Sequence, residues 1–340
     1  MTRKTIVGMD ISQLAHPGGV AIYTQNLAAR LSDIPDLEMT YFYSSLRQAY
    51  KGNFENVKSF KIPPSIFEIL FNRLRNISIE KFIGQVDIFH SSDWTQPPAK
   101  AKKVTTYHDV VPLKYPDWSH PKIISVHKRR LKIVEKEIDQ VIAVSESTKK
   151  DLIEVSNIPS NKITVIYEGP TADFNKQTEA KIAEFREKYN LPQKYILAIG
   201  GIGKRRNLDR IKEACKDYNL VITGQTIPYL STPELELLYS GATVLVYTSL
   251  YEGFGLPILD SFACQTAVVT SNVSSMPEVA GDAAILVNPL DVDGLKKKIR
   301  MVMEDKILRE ELIKKGLIQV KKFSWEKAAS QTAQVYRNVL

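Results

Sequence analysis

The amino-acid sequence predicts an α/β protein built of two doubly wound, Rossmann-like domains facing one another across a cleft. Short β-branched runs alternate with amphipathic helical stretches from end to end, the order expected of parallel sheets with crossover helices. At 340 residues the chain is longer than a usual single domain. A polar, turn-rich segment, Glu168-Gly-Pro-Thr-Ala-Asp-Phe-Asn-Lys-Gln177, divides the alternation into two series and reads as a linker.

The first series places strands at 5–11, 39–43, 87–90, 103–108, 140–144 and 163–167, with helices at 20–31, 64–82, 122–138 and 147–154. Val20, Tyr23, Leu27 and Leu31 recur at helical spacing and mark the buried face of the first helix. The second series places strands at 195–199, 220–223, 243–247, 267–270 and 283–287. Its helices start near Asn207, Thr232, Leu256, Met276, Asp291, Lys306 and Ser324. The expected domains are 1–168 and 169–322, followed by a last helical segment, 323–340.

Composition bounds the function classes. A hydrophobic fraction of 44% with 25% charged residues is that of an ordinary globular protein. No apolar run reaches bilayer length, and Met1-Thr-Arg-Lys leads straight into a strand-like segment, so no signal peptide is expected and the location is cytoplasmic. Cys215 and Cys264 sit in apolar helical contexts without metal-ligand spacing, which predicts buried free thiols in a reducing compartment. The formal charge of +8 favours anionic partners. Zinc-finger, RNA-binding and helix-turn-helix signatures are missing, so nucleic acid is not an expected partner.

Doubly wound sheets bind ligands beyond the carboxyl ends of their strands, so the strand-to-helix loops carry the functional reading. The most informative is Ser249-Leu-Tyr-Glu-Gly-Phe-Gly-Leu-Pro-Ile-Leu-Asp260. Gly253 and Gly255 allow a sharp turn and close approach by a ligand. The helix starting at Leu256, with Pro257 in its first turn, turns unpaired N–H groups toward an anion. Glu252 and Asp260 flank this loop. Amides suited to phosphate beside carboxylates suited to hydroxyls point to a sugar nucleotide.

A second loop, Gly200-Gly-Ile-Gly-Lys-Arg-Arg-Asn207, follows an apolar strand and opens a helix. Arg205 stands where a P-loop needs Ser or Thr, and Arg206 where a dinucleotide fingerprint needs Gly or Ala. What remains is a glycine turn, including Gly201, that delivers cations to a helix start; it is either a diphosphate grip or a solvated basic loop. Near the N-terminus, Gly18 and Gly19 precede the first long helix, as a phosphate-facing turn or a plain tight turn. His108 ends a strand, where it could donate to a substrate hydroxyl or orient a sugar; Asp109 could fix its tautomer or cap the next turn. His90 has the same geometry with less company, and His120 and His127 look like surface positions. Asp291 and Asp293 match an Asp-x-Asp metal pattern but head a helix, where capping is expected, so no metal site is predicted.

Basic residues cluster at 67–82 (Arg73, Arg75, Lys81) and 122–136 (Lys128, Arg129, Arg130, Lys132, Lys136), beside apolar Phe67, Ile69, Leu70, Phe71 and Leu74. Such helices either lie on an anionic membrane or pack on their own sheet.

Taken in order, Gly18-Gly19, His108-Asp109, Val144-Ser145, Arg205-Arg206-Asn207-Leu208, Glu252 to Asp260, Ser274-Ser-Met-Pro-Glu-Val-Ala-Gly-Asp282 and Phe323-Ser-Trp325 resemble the retaining nucleotide-sugar glycosyltransferases of family 4, which have the GT-B fold. The resemblance implies transfer of a hexose from a nucleotide diphosphate sugar to a glycan or lipid-linked acceptor, without metal or tightly bound cofactor, in surface glycan or glycolipid assembly. Basic helices would permit peripheral contact with the inner membrane face. It implies that Glu252 bonds the donor sugar and that amides of Phe254, Gly255 and Leu256 hold sugar and phosphate. Arg205 and Arg206, the latter where the family usually has Lys, would neutralise the leaving diphosphate, and His108 would contact the sugar near the reacting centre. The helix carrying Trp325 would cross back to the first domain.

The chain departs from the family pattern twice. Asp260 stands in place of a Glu that bonds ribose, and 224–233 lacks most of a helix–strand unit that relatives use near the base. A non-catalytic sugar-nucleotide sensor of the same fold is the alternative reading. A pyridoxal-dependent phosphorylase and a dinucleotide oxidoreductase are the disfavoured ones.

Overall fold

The computed structural model describes residues 3–91, 93–201 and 203–340; Met1, Thr2 and Ile202, quoted above, lie outside them. The chain divides into two compact units, one comprising residues through Glu168 together with Trp325–Leu340, the other Gly169–Ser324.

The first unit is built on seven strands: β1 (Thr5–Asp10), β2 (Leu37–Ser44), β3 (Val57–Phe60), β4 (Ile88–Ser91), β5 (Lys102–Tyr107), β6 (Gln140–Ala143) and β7 (Ile163–Val165). Their order is β3-β2-β1-β4-β5-β6-β7 and all pairings are parallel. The order reverses at β1, leaving a crevice between the carboxyl ends of β1 and β4. The central strands are covered on both faces, which explains their near-continuous apolar sequences. Phe42, Phe67, Phe71, Phe89, Ile79 and Ile83 fill one side. Leu131, Val134, Val141 and Leu152 form a second cluster on the same face, as the strand register shows.

The second unit has β8 (Ile196–Ala198), β9 (Leu220–Ile222), β10 (Val244–Tyr247), β11 (Ala267–Ser271) and β12 (Ile285–Val287), in the parallel order β12-β11-β10-β8-β9. Here the reversal lies between β8 and β10. Val244, Val246, Ala267 and Val269 pack against Ile211, Leu295, Ile299 and Val302 of the covering helices.

The helix Trp325–Val339 returns to the first unit. Trp325, Ala328, Ala329, Thr332, Ala333 and Tyr336 recur at helical spacing and are buried. Arg337 grips Asp36 with two hydrogen bonds of 3.0 Å, and Arg30 meets Glu326 at 2.6 Å.

Several elements differ from the expectation. Strand β3 has no buried residue, with Lys58 and Ser59 exposed and Val57 and Phe60 half-buried, and no apolar run to announce it. The helix expected over 64–82 is broken into Pro64–Glu68, a π-helical turn Ile69–Leu74 and Glu80–Ile83. Arg75 ends the π turn in the left-handed region (φ 53°), held there by hydrogen bonds to the Phe71 and Gln96 carbonyls and to Glu137. A helix at Glu179–Lys188 follows the linker where none was expected. Between β9 and the helix Thr232–Gly241 the chain makes only a tight turn, in which Gly224 N–H donates to the Ile227 carbonyl.

Candidate active site

Both arginine and glycine loops leave strands that flank the β8/β10 reversal, the place where such a sheet accepts ligands. Gly200 follows β8 so closely beside β9 that a Cβ there would lie 1.8 Å from the Thr223 carbonyl oxygen. The Thr223 hydroxyl accepts from Gly200 N–H at 2.9 Å. The loop then turns through Asn207, whose left-handed backbone (φ 57°) aims its amide at two neighbouring loops. Nδ2 donates to the Thr248 carbonyl (3.0 Å) and the Pro289 carbonyl (2.7 Å). Leu250 N–H donates to the Arg205 carbonyl at 2.7 Å. The arginine loop and the loop after β10 are therefore tied together by backbone.

Within this frame Glu252 is buried beneath two guanidinium groups. Arg206 Nη1 lies 2.7 Å from its Oε1 and Arg205 Nη1 3.5 Å from its Oε2. Arg206 also donates to the Tyr247 hydroxyl at 2.6 Å, with its guanidinium 5.7 Å from that ring. Burial pushes the Tyr247 phenol up, so it stays neutral and serves as a hydrogen-bond partner. Glu252 N–H donates to the Ser274 hydroxyl, and the Ser275 hydroxyl donates to the carbonyls of Glu252 and Phe254. Gly255 takes a positive φ of 119° at the cap of the helix Leu256–Ala263, a conformation costly for other residues. The Phe254 ring turns away and packs on Phe323, leaving its backbone at the loop.

Asp260, on the same helix, is buried with both carboxylate oxygens engaged. Thr171 N–H donates to Oδ1 at 2.8 Å and the Thr171 hydroxyl pairs with Oδ2 at 2.7 Å. Burial pushes this carboxyl up to about 7, against the lowering effect of those hydrogen bonds.

In the first unit, Gly18 (φ 148°) caps the helix Gly19–Ser32, and both glycines are exposed. His108, just past β5, is paired with Glu168, whose Oε1 lies 3.5 Å from Nδ1. Tyr23 meets the His108 ring edge-on at 4.5 Å. Asp109 instead caps the next turn by accepting from Val111 N–H at 2.9 Å. Beneath them lies a polar chain: the Thr106 hydroxyl joins the Tyr23 hydroxyl to His90 Nε2, and His90 Nδ1 meets the Tyr336 hydroxyl at 2.7 Å. Burial, then the nearby His108, pushes His90 down to about 3.

Two surface expectations are corrected. Arg130 is not part of a solvated cluster: it is fully buried over the Tyr107 ring at 3.9 Å and donates to Thr105 and Thr106. His127 is half-buried and packs edge-on against Trp94. Asp291 caps its helix by accepting from Gly294 N–H.

Residues 148–319 match the family model of the glycosyl transferases group 1, and 17–173 that of glycosyltransferase family 4. The chain belongs to the group 1 glycosyltransferases. This glycosyltransferase is 30% identical over 288 residues to the O-antigen chain mannosyltransferase B of Escherichia coli, covering 74% of each chain. It is 28% identical over 268 residues to the serotype-specific mannosyltransferase WbdA of the same species, spanning 67% of this chain and 32% of that longer protein. Sucrose-phosphate synthase from Thermosynechococcus elongatus superposes with a TM-score of 0.79 at 19% identity over 99% of both chains, a likeness of fold. The fold is the GT-B fold of such enzymes.

The loops of the glycosyltransferase that touch Glu252 were legible locally, because strand, glycine, cation and helix start follow one another in sequence. Glu168, Ser274, Ser275, Tyr247 and Thr171 were not assigned these contacts. Each meets its partner across tens of residues, and no local signal announces the pairing.

Proposed function

We propose that this glycosyltransferase moves a hexose from a nucleotide diphosphate sugar to an acceptor hydroxyl with retained anomeric configuration. The pairing of Glu252 with Arg205 and Arg206, held at the β8/β10 reversal beside a helix start, carries the reading. A departing diphosphate needs preorganised positive charge, and the two guanidiniums with the amides at Phe254, Gly255 and Leu256 supply it without a metal. Gly201 lets the Arg206 side chain lie close, and Gly18 and Gly19 offer further amides. Glu252 orients the arginines and turns an oxygen to the sugar hydroxyls as the phosphate arrives. Asp260 meets the ribose only by giving up one of its Thr171 hydrogen bonds.

His108 contacts the sugar. A carboxylate only accepts, so Glu168 favours a proton on Nδ1 and leaves Nε2 to face a sugar hydroxyl. Attack from the face of the leaving group, with phosphate oxygen taking the acceptor proton, gives retention. The names of the relatives favour a mannosyl donor and a surface polysaccharide acceptor.

Among the described residues no helix is long and apolar enough to cross a membrane. Glu68 joins Arg73 at 3.1 Å and Arg129 at 2.9 Å, bringing two basic segments together beside exposed Ile66, Ile69 and Ile123. This face suits peripheral contact with anionic lipid on the cytoplasmic side.

A thermal-shift panel of GDP, UDP and their sugars tests the donor reading, since binding raises the melting temperature with occupancy. A rise with one nucleotide sugar and product formation lost in Arg205→Ala supports the enzyme. Tight binding without turnover on any glycan acceptor supports the sensor, and no shift with any nucleotide sinks both.

A further inference from the structure

The loop that follows β2 encloses a pocket of about 600 Å³ against the helix Gly19–Ser32. Side chains alternate along a strand, so Tyr41 and Tyr43 face that helix while Phe42 faces the aromatic cluster on the other side of the sheet. The pocket therefore lies off the crevice between β1 and β4. A ladder of rings orders the loop. Tyr41 stacks on Phe54 (4.9 Å), Phe54 on Tyr50 (6.4 Å), and Tyr50 meets Tyr43 at 5.4 Å. The Tyr43 hydroxyl donates to the Gln48 carbonyl, and Gln48 N–H donates to the Ser45 hydroxyl. The Tyr50 hydroxyl accepts from Phe54 N–H at 2.9 Å, which leaves its own proton for another acceptor. Burial raises this phenol, so the proton stays in place. Gly52 makes room for it, since a Cβ there would lie 2.3 Å from that oxygen.

Among the described lining residues the charged ones are Arg47 and Lys51, with no aspartate, glutamate or histidine beside them. Gln25, Gln48 and Tyr50 add neutral donors, and Leu14 and Ala49 are the apolar members. Arg30 and Arg73 of the same unit are held by Glu326 and Glu68. Arg47 and Lys51 make no such ion pair among the described residues and stay exposed. Two cations without a counter-charge attract an anion. A phosphate monoester carries about −1.5 to −2 charges near neutral pH, against one on a carboxylate, and its oxygens match the guanidinium fork. Because the stacked rings already order the loop, little chain freedom is lost when the anion binds. The volume falls within the roughly 300–1,000 Å³ of small-molecule sites. We propose that this pocket is a second phosphate site, which takes a phosphate- or diphosphate-bearing ligand, either a free small molecule or a lipid head group. It shares no residue with the donor loops and stands whether or not the donor reading does. Leu46, exposed next to Arg47, offers an apolar neighbour to a lipid tail.

Calorimetric titration of the full chain with inorganic pyrophosphate tests it, at physiological ionic strength so that unspecific attraction to a basic protein is screened. The expected result is two sites per chain, one of which survives Arg205→Ala. That surviving site should weaken at least about tenfold in Arg47→Gln and again in Lys51→Gln, through loss of a charge-assisted hydrogen bond each time. Both changes lie on the surface, and an unaltered melting temperature without ligand checks that the variants fold. Tyr50→Phe, which removes the hydroxyl proton alone from the pocket's donors, should weaken the same site by a smaller factor. Farnesyl diphosphate titrated into Arg205→Ala separates the two sources. Binding at least about tenfold tighter than pyrophosphate assigns the site to a lipid head group, and equal binding assigns it to a free phosphate compound. A single pyrophosphate site that Arg205→Ala removes overturns the proposal and leaves the donor reading standing. A second site unchanged in both Arg47→Gln and Lys51→Gln overturns it too, as does acetate binding as tightly as pyrophosphate.

Discussion

Thr171 meets both oxygens of Asp260, its amide at 2.8 Å and its hydroxyl at 2.7 Å, so the segment after the linker is fastened to the helix that follows the Glu252 loop. The carboxyl is buried and raised to about 7, whereas an unfolded aspartate titrates near ~3.9. The folded chain therefore holds a proton that the unfolded chain releases between these values. The stability it contributes is complete below pH ~4 and is lost as pH rises toward about 7. Asp260→Asn preserves both contacts without a charge. Its melting temperature should match wild type near pH ~4 and exceed it increasingly up to pH 8, by the equivalent of a few kcal/mol at most, since one pKa unit corresponds to about 1.4 kcal/mol. Equal curves across that range would show that Asp260 is ionised when buried.

His90 acts in the opposite sense. Its pKa is pushed down to about 3, so its contribution is present above the unfolded value of ~6.5 and is lost as pH falls toward about 3. Tyr336→Phe removes its 2.7 Å partner and leaves a buried ring nitrogen unsatisfied. A loss of about 1–3 kcal/mol is expected in urea unfolding at pH 7.

Glu252→Gln keeps the volume of the side chain while leaving Arg206 and Arg205 without their counter-charge. Breaking such a buried pair costs about 3–5 kcal/mol, and less here because Arg205 reaches solvent. Product formation should fall at least about 100-fold, because the arginines lose their aim at the diphosphate. Arg206→Lys should retain more activity than Arg206→Met, which separates charge from shape.

The proposed role of Glu168, whose Oε1 lies 3.5 Å from His108 Nδ1, is to hold a proton on that nitrogen. Imidazole ¹⁵N shifts of labelled protein should show the proton on Nδ1 in wild type, and a mixture in Glu168→Leu. A proton on Nε2 in wild type would remove Glu168 from the site.

The strand–glycine–helix order made the second-unit loops readable, because Gly200, Arg206, Glu252 and Gly255 each lie in a local strand-to-helix pattern, whereas the Arg206–Glu252 pair spans 46 residues and has no local signal. Helix 325–339 was readable for the same reason, as its apolar spacing is regular. The broken stretch at 64–83 was not. Phe67 and Phe71 repeat at helical spacing, and only the distant Gln96 and Glu137 explain why Arg75 turns the chain. Glu168 looked like linker because its neighbours Gly169 and Pro170 are turn residues; its partner lies sixty residues earlier. Asp260 looked available because nothing near it in sequence reveals Thr171.

The return of helix Trp325–Val339 to the first unit also sets an order of events during synthesis. Domains generally fold as they leave the ribosome, N-terminal first. Here β1 to β7 emerge long before Tyr336, the partner that His90 and the first helix await. The second unit, continuous from Gly169 to Ser324, has every residue it needs while its neighbour is still incomplete. The later-made unit can thus reach its native state first, and until the last helix docks the first unit leaves a groove lined by Tyr23 and His90 open to chaperones.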